Sequence, residues 1–171
     1  SGAYASDGKD PMRKDVLEML FRQLGREQMA LVPAIQFAAP MPELEAILRD
    51  ENGDGEGIVL VDLRGRTWTD LFSPQRGLAP YYNPLDPRVQ SAMKNVVAEL
   101  LDRYGKQPAL AGLAIQLSGD GYAILPGPEW GMDRATIQRF VRDMKIEFTD
   151  RVRLSDIGAA VLREHGEAWL K

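Results

Sequence analysis

Apolar residues recur at helical spacing from Pro11 to Gln28, where Val16, Leu17, Leu20, Phe21 and Leu24 fall on one side. Asp10 as N-cap and Pro11 at the first helical position make this an amphipathic helix. The next run, Met29 to Phe37, is apolar throughout and too short for a helix, so it reads as a strand buried on both faces. Pro33 within it has no N–H to give a sheet ladder, which suits a strand start, an edge or a bulge. Pro40-Met-Pro42 breaks the chain, and Glu43 to Arg49 forms a short helix with Leu44, Ile47 and Leu48 on one face.

After the acidic, glycine-rich stretch Asp50 to Gly57, two β-prone runs, Ile58 to Leu63 and Arg66 to Thr69, flank Arg64-Gly65 and predict a hairpin inserted in a crossover. Leu71 to Asp86 is irregular and punctuated by prolines. Asp86-Pro87 then opens a long helix to about Tyr104, with Val89, Met93, Val96, Val97, Leu100 and Leu101 inward and Gly105 closing it. Ala111 to Leu117 is the second strand expected to be buried and parallel. Beyond the loop Ser118 to Trp130, Asp133 caps a helix from Arg134 to Met144, and Ser155 starts the last one, through Leu170. Helices between parallel strands imply an α/β fold, whose sites gather at the strands' carboxyl ends. Residues 1–171 are expected to form a single domain, with 51–80 as an inserted acidic loop and hairpin.

Composition narrows the function classes. With 44% hydrophobic and 27% charged residues, the chain has the makeup of a globular domain, and its apolar runs are too short to cross a membrane. Twenty-one basic residues are interspersed among twenty-five acidic ones for a net charge of −4, which argues against nucleic acid as partner. The absence of cysteine excludes disulfides, thiolate nucleophiles and cysteine metal sites, and fits cytoplasm or export alike.

Several phrases carry a family likeness: Asp10-Pro-Met-Arg-Lys-Asp-Val-Leu-Glu-Met-Leu-Phe21, Leu31-Val-Pro-Ala-Ile-Gln-Phe37, Tyr82-Asn-Pro-Leu-Asp-Pro-Arg-Val-Gln90, Asp102-Arg-Tyr104 and Ala111-Gly-Leu-Ala-Ile-Gln-Leu-Ser118. In these the chain resembles part of the TIM barrel of bacterial glycoside hydrolase-like proteins, those called family 10 glycosyl hydrolase-like. The resemblance implies a (β/α)₈ parent with sugars as substrate and the site at the strand C-termini. A whole barrel takes roughly 200 or more residues and eight strands. The expectation is therefore a partial barrel-like α/β fragment with parallel strands, flanking helices and the inserted hairpin. Its open sheet edge and apolar faces predict local rearrangement or self-association, the latter as a homodimer through the exposed edge.

Glycoside hydrolysis uses two carboxylates. Asp120, Glu129 and Asp133, downstream of the second strand, are the catalytic candidates. A turn role for Asp120 in Gly-Asp-Gly and an N-cap role for Asp133 compete with that reading. Gln116 and Ser118 stand where such barrels place an acid, so the catalytic partner is expected from another part of the parent and the chain alone to be inactive. A non-catalytic carbohydrate-binding or protein-association module is the alternative. Trp130 and Tyr122, with Trp68, Tyr81 and Tyr82, are candidate sugar platforms or core anchors, and Gln36, Asn83 and Gln116 are polar positioning groups. Trp130 is expected to be the most exposed of the aromatics.

No cofactor and no metal are called for. Asp50-Glu-Asn-Gly-Asp54-Gly55 begins like a calcium loop but has Val61 where the closing glutamate belongs, so a solvated turn is the stronger reading. His165, the only histidine, supports neither a triad nor a zinc site. No lysine with serine or threonine follows Gly53, Gly55 and Gly57 to make a phosphate loop.

Overall fold

The computed structural model describes residues 15–50, 53–71, 81–147 and 156–171. Its elements run α1 (Val16–Arg26), β1 (Ala34–Ile35), α2 (Pro42–Arg49), α3 (Trp68–Leu71), α4 (Pro87–Tyr104), β2 (Ala114–Ile115), α5 (Arg134–Asp143) and α6 (Ile157–Trp169). β1 and β2 pair in parallel, with Ala34 opposite Ala114 and Ile35 opposite Ile115. The result is a small mixed α/β structure around a two-stranded parallel sheet.

Leu31 bridges Leu110, so between there and Ala34–Ala114 the second strand carries one extra residue, a bulge. Pro33 lies just ahead of β1 and contributes only its carbonyl, which accepts from the Ala114 N–H at 2.9 Å. The proline thus interrupts no donor the ladder needs. Past the strands, Gln116 N–H donates to the Ile35 carbonyl at 2.8 Å, and Tyr122 N–H to that of Phe37 at 2.8 Å.

Burial on both faces, expected of the two strands, does not occur. Val32 and Leu117 are 53% and 64% exposed, and Ala34 and Ile115 are also open to solvent. An apolar run shows only that a segment is able to be covered.

Asp133 caps α5 as expected, its Oδ1 accepting the Thr136 N–H at 2.8 Å. Asp86 caps α4 through the Arg88 N–H, with Pro87 in the first turn. For α1 the N-cap is Asp15, which takes the Glu18 N–H at 2.9 Å, so the helix begins later than the expected Pro11. Asp10 and Pro11 themselves lie outside the described residues, as does Ser155 ahead of α6.

The inserted hairpin shrinks to a turn. Val61 and Thr67 form a single antiparallel bridge around Gly65, whose φ of 72° suits glycine. Beyond it, Thr67 and Asp70 make a reciprocal cap: the Asp70 carboxylate accepts from the Thr67 N–H and hydroxyl, both at 2.7 Å, and the Asp70 N–H donates to Thr67 Oγ1 at 3.2 Å. That pairing starts α3 where a second strand was expected. The first arm pairs elsewhere, Val59 opposite Tyr82 and Asp62 opposite Trp130.

The main core gathers Phe37, Leu44, Ile58, Leu60, Tyr82, Val89, Tyr122 and Trp130. A smaller cluster of Phe21, Tyr104 and Ala109 joins α1 to the end of α4. Within α4, Val89 is buried and Met93, Val96, Val97 and Leu100 are half-buried, but Leu101 is 48% exposed, contrary to its expected inward position.

Candidate functional site

Parallel pairing places the carboxyl ends of β1 and β2 at one edge, where the chain turns polar. Gln36 and Gln116, each one residue past a strand, are exposed, and Gln36 Nε2 donates to Ser118 Oγ at 3.3 Å across 82 residues of sequence. The following turn closes through the Gly121 N–H on the Ser118 carbonyl at 3.1 Å. A side chain at Gly121 would press to 3.0 Å from the Phe37 carbonyl, so glycine lets this loop return against the end of β1. Asp120 is exposed on that turn. Beside it, the Tyr81 hydroxyl donates to the Gly119 carbonyl at 2.9 Å, and its pKa is raised by burial and then by the charge of Asp120.

Of the aromatic candidates, Tyr81, Tyr82, Tyr122 and Trp130 are buried and Trp68 is half-buried. Tyr122 donates its hydroxyl to the Ala39 carbonyl at 2.7 Å and meets Tyr82 edge-on at 4.9 Å. Trp130, expected to be exposed, is only 5% so; it packs on Trp68 with ring centroids 5.3 Å apart. Trp68 in turn stacks on Tyr81 at 4.8 Å. Tyr82 is held by Glu45 and the Met41 N–H, and its hydroxyl pKa is raised strongly by burial and then by the Glu45 bond. These rings anchor the core.

Asn83 and Asp133 belong to a second, buried polar group. Asn83 Nδ2 donates to Asp133 Oδ2 and to Thr136 Oγ1, each at 2.9 Å, and its Oδ1 accepts from the Leu85 N–H at 3.0 Å. Asp86 accepts from Arg88 at 2.8 Å (N–H), 3.0 Å (Nε) and 2.8 Å (Nη2). Arg88 also reaches the carbonyls of Asp54 and Glu56. All of this surrounds Gly57: a Cβ there would lie 3.1 Å from both Asp133 Oδ1 and Asp86 Oδ2, and its φ is +88°. Burial opposes charge on Asp86, but the Arg88 bonds and the charges of Arg88 and Arg139 outweigh it and hold the pKa below the ordinary carboxylate value.

The three carboxylates proposed for catalysis therefore occupy three settings. Asp120 stands at the strand-end rim, exposed Glu129 folds over Gly127, and Asp133 is a buried cap whose two oxygens already accept hydrogen bonds. Among the described residues, no hydrogen-bond partner is shared between them. Asp86 and Arg88 were legible only as a helix entry, although Asn83-Pro-Leu-Asp-Pro-Arg88 packs three polar groups into six residues, a signal for a polar knot.

Among the described residues, no group of three or more histidine, cysteine, aspartate or glutamate side chains is arranged to hold a metal. In the acidic loop, the Gly53 N–H closes on the Asp50 carbonyl at 2.8 Å; residues 51 and 52 lie outside the described set. His165 is half-buried where α6 kinks. None of the helices is long and apolar enough to cross a membrane, among the described residues. Compared with protein-family models, with curated proteins and with solved structures, the chain matches none.

Proposed function

We propose that this chain contributes a sugar-contacting, non-catalytic part of the strand-end face of a glycoside hydrolase-like β/α barrel, and hydrolyses nothing by itself. The observation that carries the reading is the rim where Gln36 and Ser118 meet across two parallel strands, with Gln116 and Asp120 exposed beside them. Amide, hydroxyl and carboxylate groups on one edge offer both donors and acceptors to sugar hydroxyls. A complete acid and nucleophile pair would need neighbouring strands of the barrel, because Asp133 is committed to capping α5 and bonding Asn83, while Asp120 and Glu129 stand exposed in separate settings.

Titrating the labelled protein with oligosaccharides of glucose, xylose and N-acetylglucosamine tests this. Saturable amide shifts are expected at Gln36, Gln116, Ser118 and Asp120 for at least one glycan, without release of reducing ends. Gln36→Ala should weaken that binding about three- to tenfold, the worth of one side-chain hydrogen bond. Reducing ends released by the protein alone, or no shift at the rim with any glycan, would contradict the proposal.

A further inference from the structure

On the side of the molecule formed by α5 and α6, two hollows of about 450 and 370 Å³ share Ile137, Gln138 and Ile157, and so make one groove. Arg64 and Arg134 line one half, and Arg142 and Lys145 the other. Among the described lining residues, Glu147 is the one acid. All four cations are exposed. Arg142 has a 3.6 Å contact with exposed Asp143, and no ion pair among the described residues engages Arg64, Arg134 or Lys145. In a chain of net charge −4, this is a local concentration of the opposite sign. Between the cations the floor is aliphatic, from Leu63, Met132, Ile137, Val141, Ile146 and Ile157.

We propose that this groove docks an acidic, amphipathic peptide segment of a partner protein. Its carboxylates would meet Arg64, Arg134, Arg142 and Lys145, and its aliphatic side chains would lie along the floor. Charge complementarity selects an acidic partner. The aliphatic floor selects a peptide, since leucine or isoleucine side chains bury well against isoleucine and valine; among the described residues, no aromatic ring of the kind sugars stack on lines the groove. The groove does not include the strand-end rim, so the two proposals stand or fall separately.

The probe is a short fluorescein-labelled peptide alternating glutamate with leucine, followed by anisotropy and by amide shifts. Saturable binding is expected, with shifts at Ile137, Gln138 and Ile157 and weakening as salt is raised. Arg134→Glu and Lys145→Glu, both at exposed positions, should each reduce affinity about tenfold. Versions with lysine for glutamate, or serine for leucine, should bind at least about tenfold more weakly to the unaltered protein, a comparison that needs no variant to fold. No binding, equal binding of the lysine peptide, shifts confined elsewhere, or indifference to both charge reversals would overturn the proposal. So would binding of polygalacturonate at these residues without binding of the peptide, which would assign the groove to polysaccharide.

Discussion

At the scale of single residues, Asn83 and Asp133 behave as a structural knot. Asn83→Ala would leave Asp133 Oδ2 and Thr136 Oγ1 without the donor they now share, and stability should fall by about 1–3 kcal/mol in urea unfolding. An unchanged midpoint would show that the knot carries no load. Asp86 adds a pH dependence. Because its folded pKa lies below the ordinary value of 3.8, its contribution is complete above that value and is lost as pH falls through the lower folded one. Arg88→Gln should therefore destabilise the protein at neutral pH and flatten the acid limb of a stability profile; a parallel, merely offset profile would exclude the Arg88–Asp86 coupling. The capping roles of Asp133 and Asp86 were legible in the sequence, but the bond from Asn83 that ties Asp133 to Thr136 was not. Asn83 reads equally as a ligand or a core amide until burial shows which groups face it. Trp130 misled for the converse reason, since glycine and proline neighbours suggest an exposed loop while its ring fills space beside Trp68.

At the scale of elements, helices were more legible than strands. The 3.6-residue period and the pairs Asp86-Pro87 and Asp133-Arg134 mark α4 and α5 through local physics, whereas the cover over a strand depends on distant segments. The hairpin reading lost to a local signal of the same kind, the Thr67–Asp70 cap that begins α3. α1 docks through a small cluster: Phe21, whose ring lies 5.5 Å from Tyr104, has Leu17 and Leu24 beside it, and the Tyr104 hydroxyl reaches Asp15 Oδ2 at 2.6 Å. Tyr104→Phe removes only that hydroxyl and should cost about 0.5–1.5 kcal/mol. In hydrogen exchange, α1 amides should lose protection before those of α4, and more so in the variant. Equal protection of the two helices would place α1 in the main cooperative unit.

At the scale of the whole molecule, the sheet is short and open. Val32, Ile115 and Leu117 are exposed beside it, which favours association of two copies through this surface. Sedimentation should show a concentration-dependent dimer that Leu117→Ser weakens, and a monomer at all concentrations would rule out that role. Both the rim and the barrel proposal depend on strands 31–37 and 111–117 lying side by side in the same direction. The absence of native cysteine makes cross-linking a clean test. Neighbouring strands lie about 4.8 Å apart, within disulfide reach. Under mild oxidation, Ala34→Cys with Ala114→Cys and, separately, Leu31→Cys with Leu110→Cys should each close a disulfide in the folded protein. Closure of Leu31→Cys with Leu117→Cys in preference to Leu31→Cys with Leu110→Cys would mean antiparallel strands, and would contradict the shared edge on which the account rests.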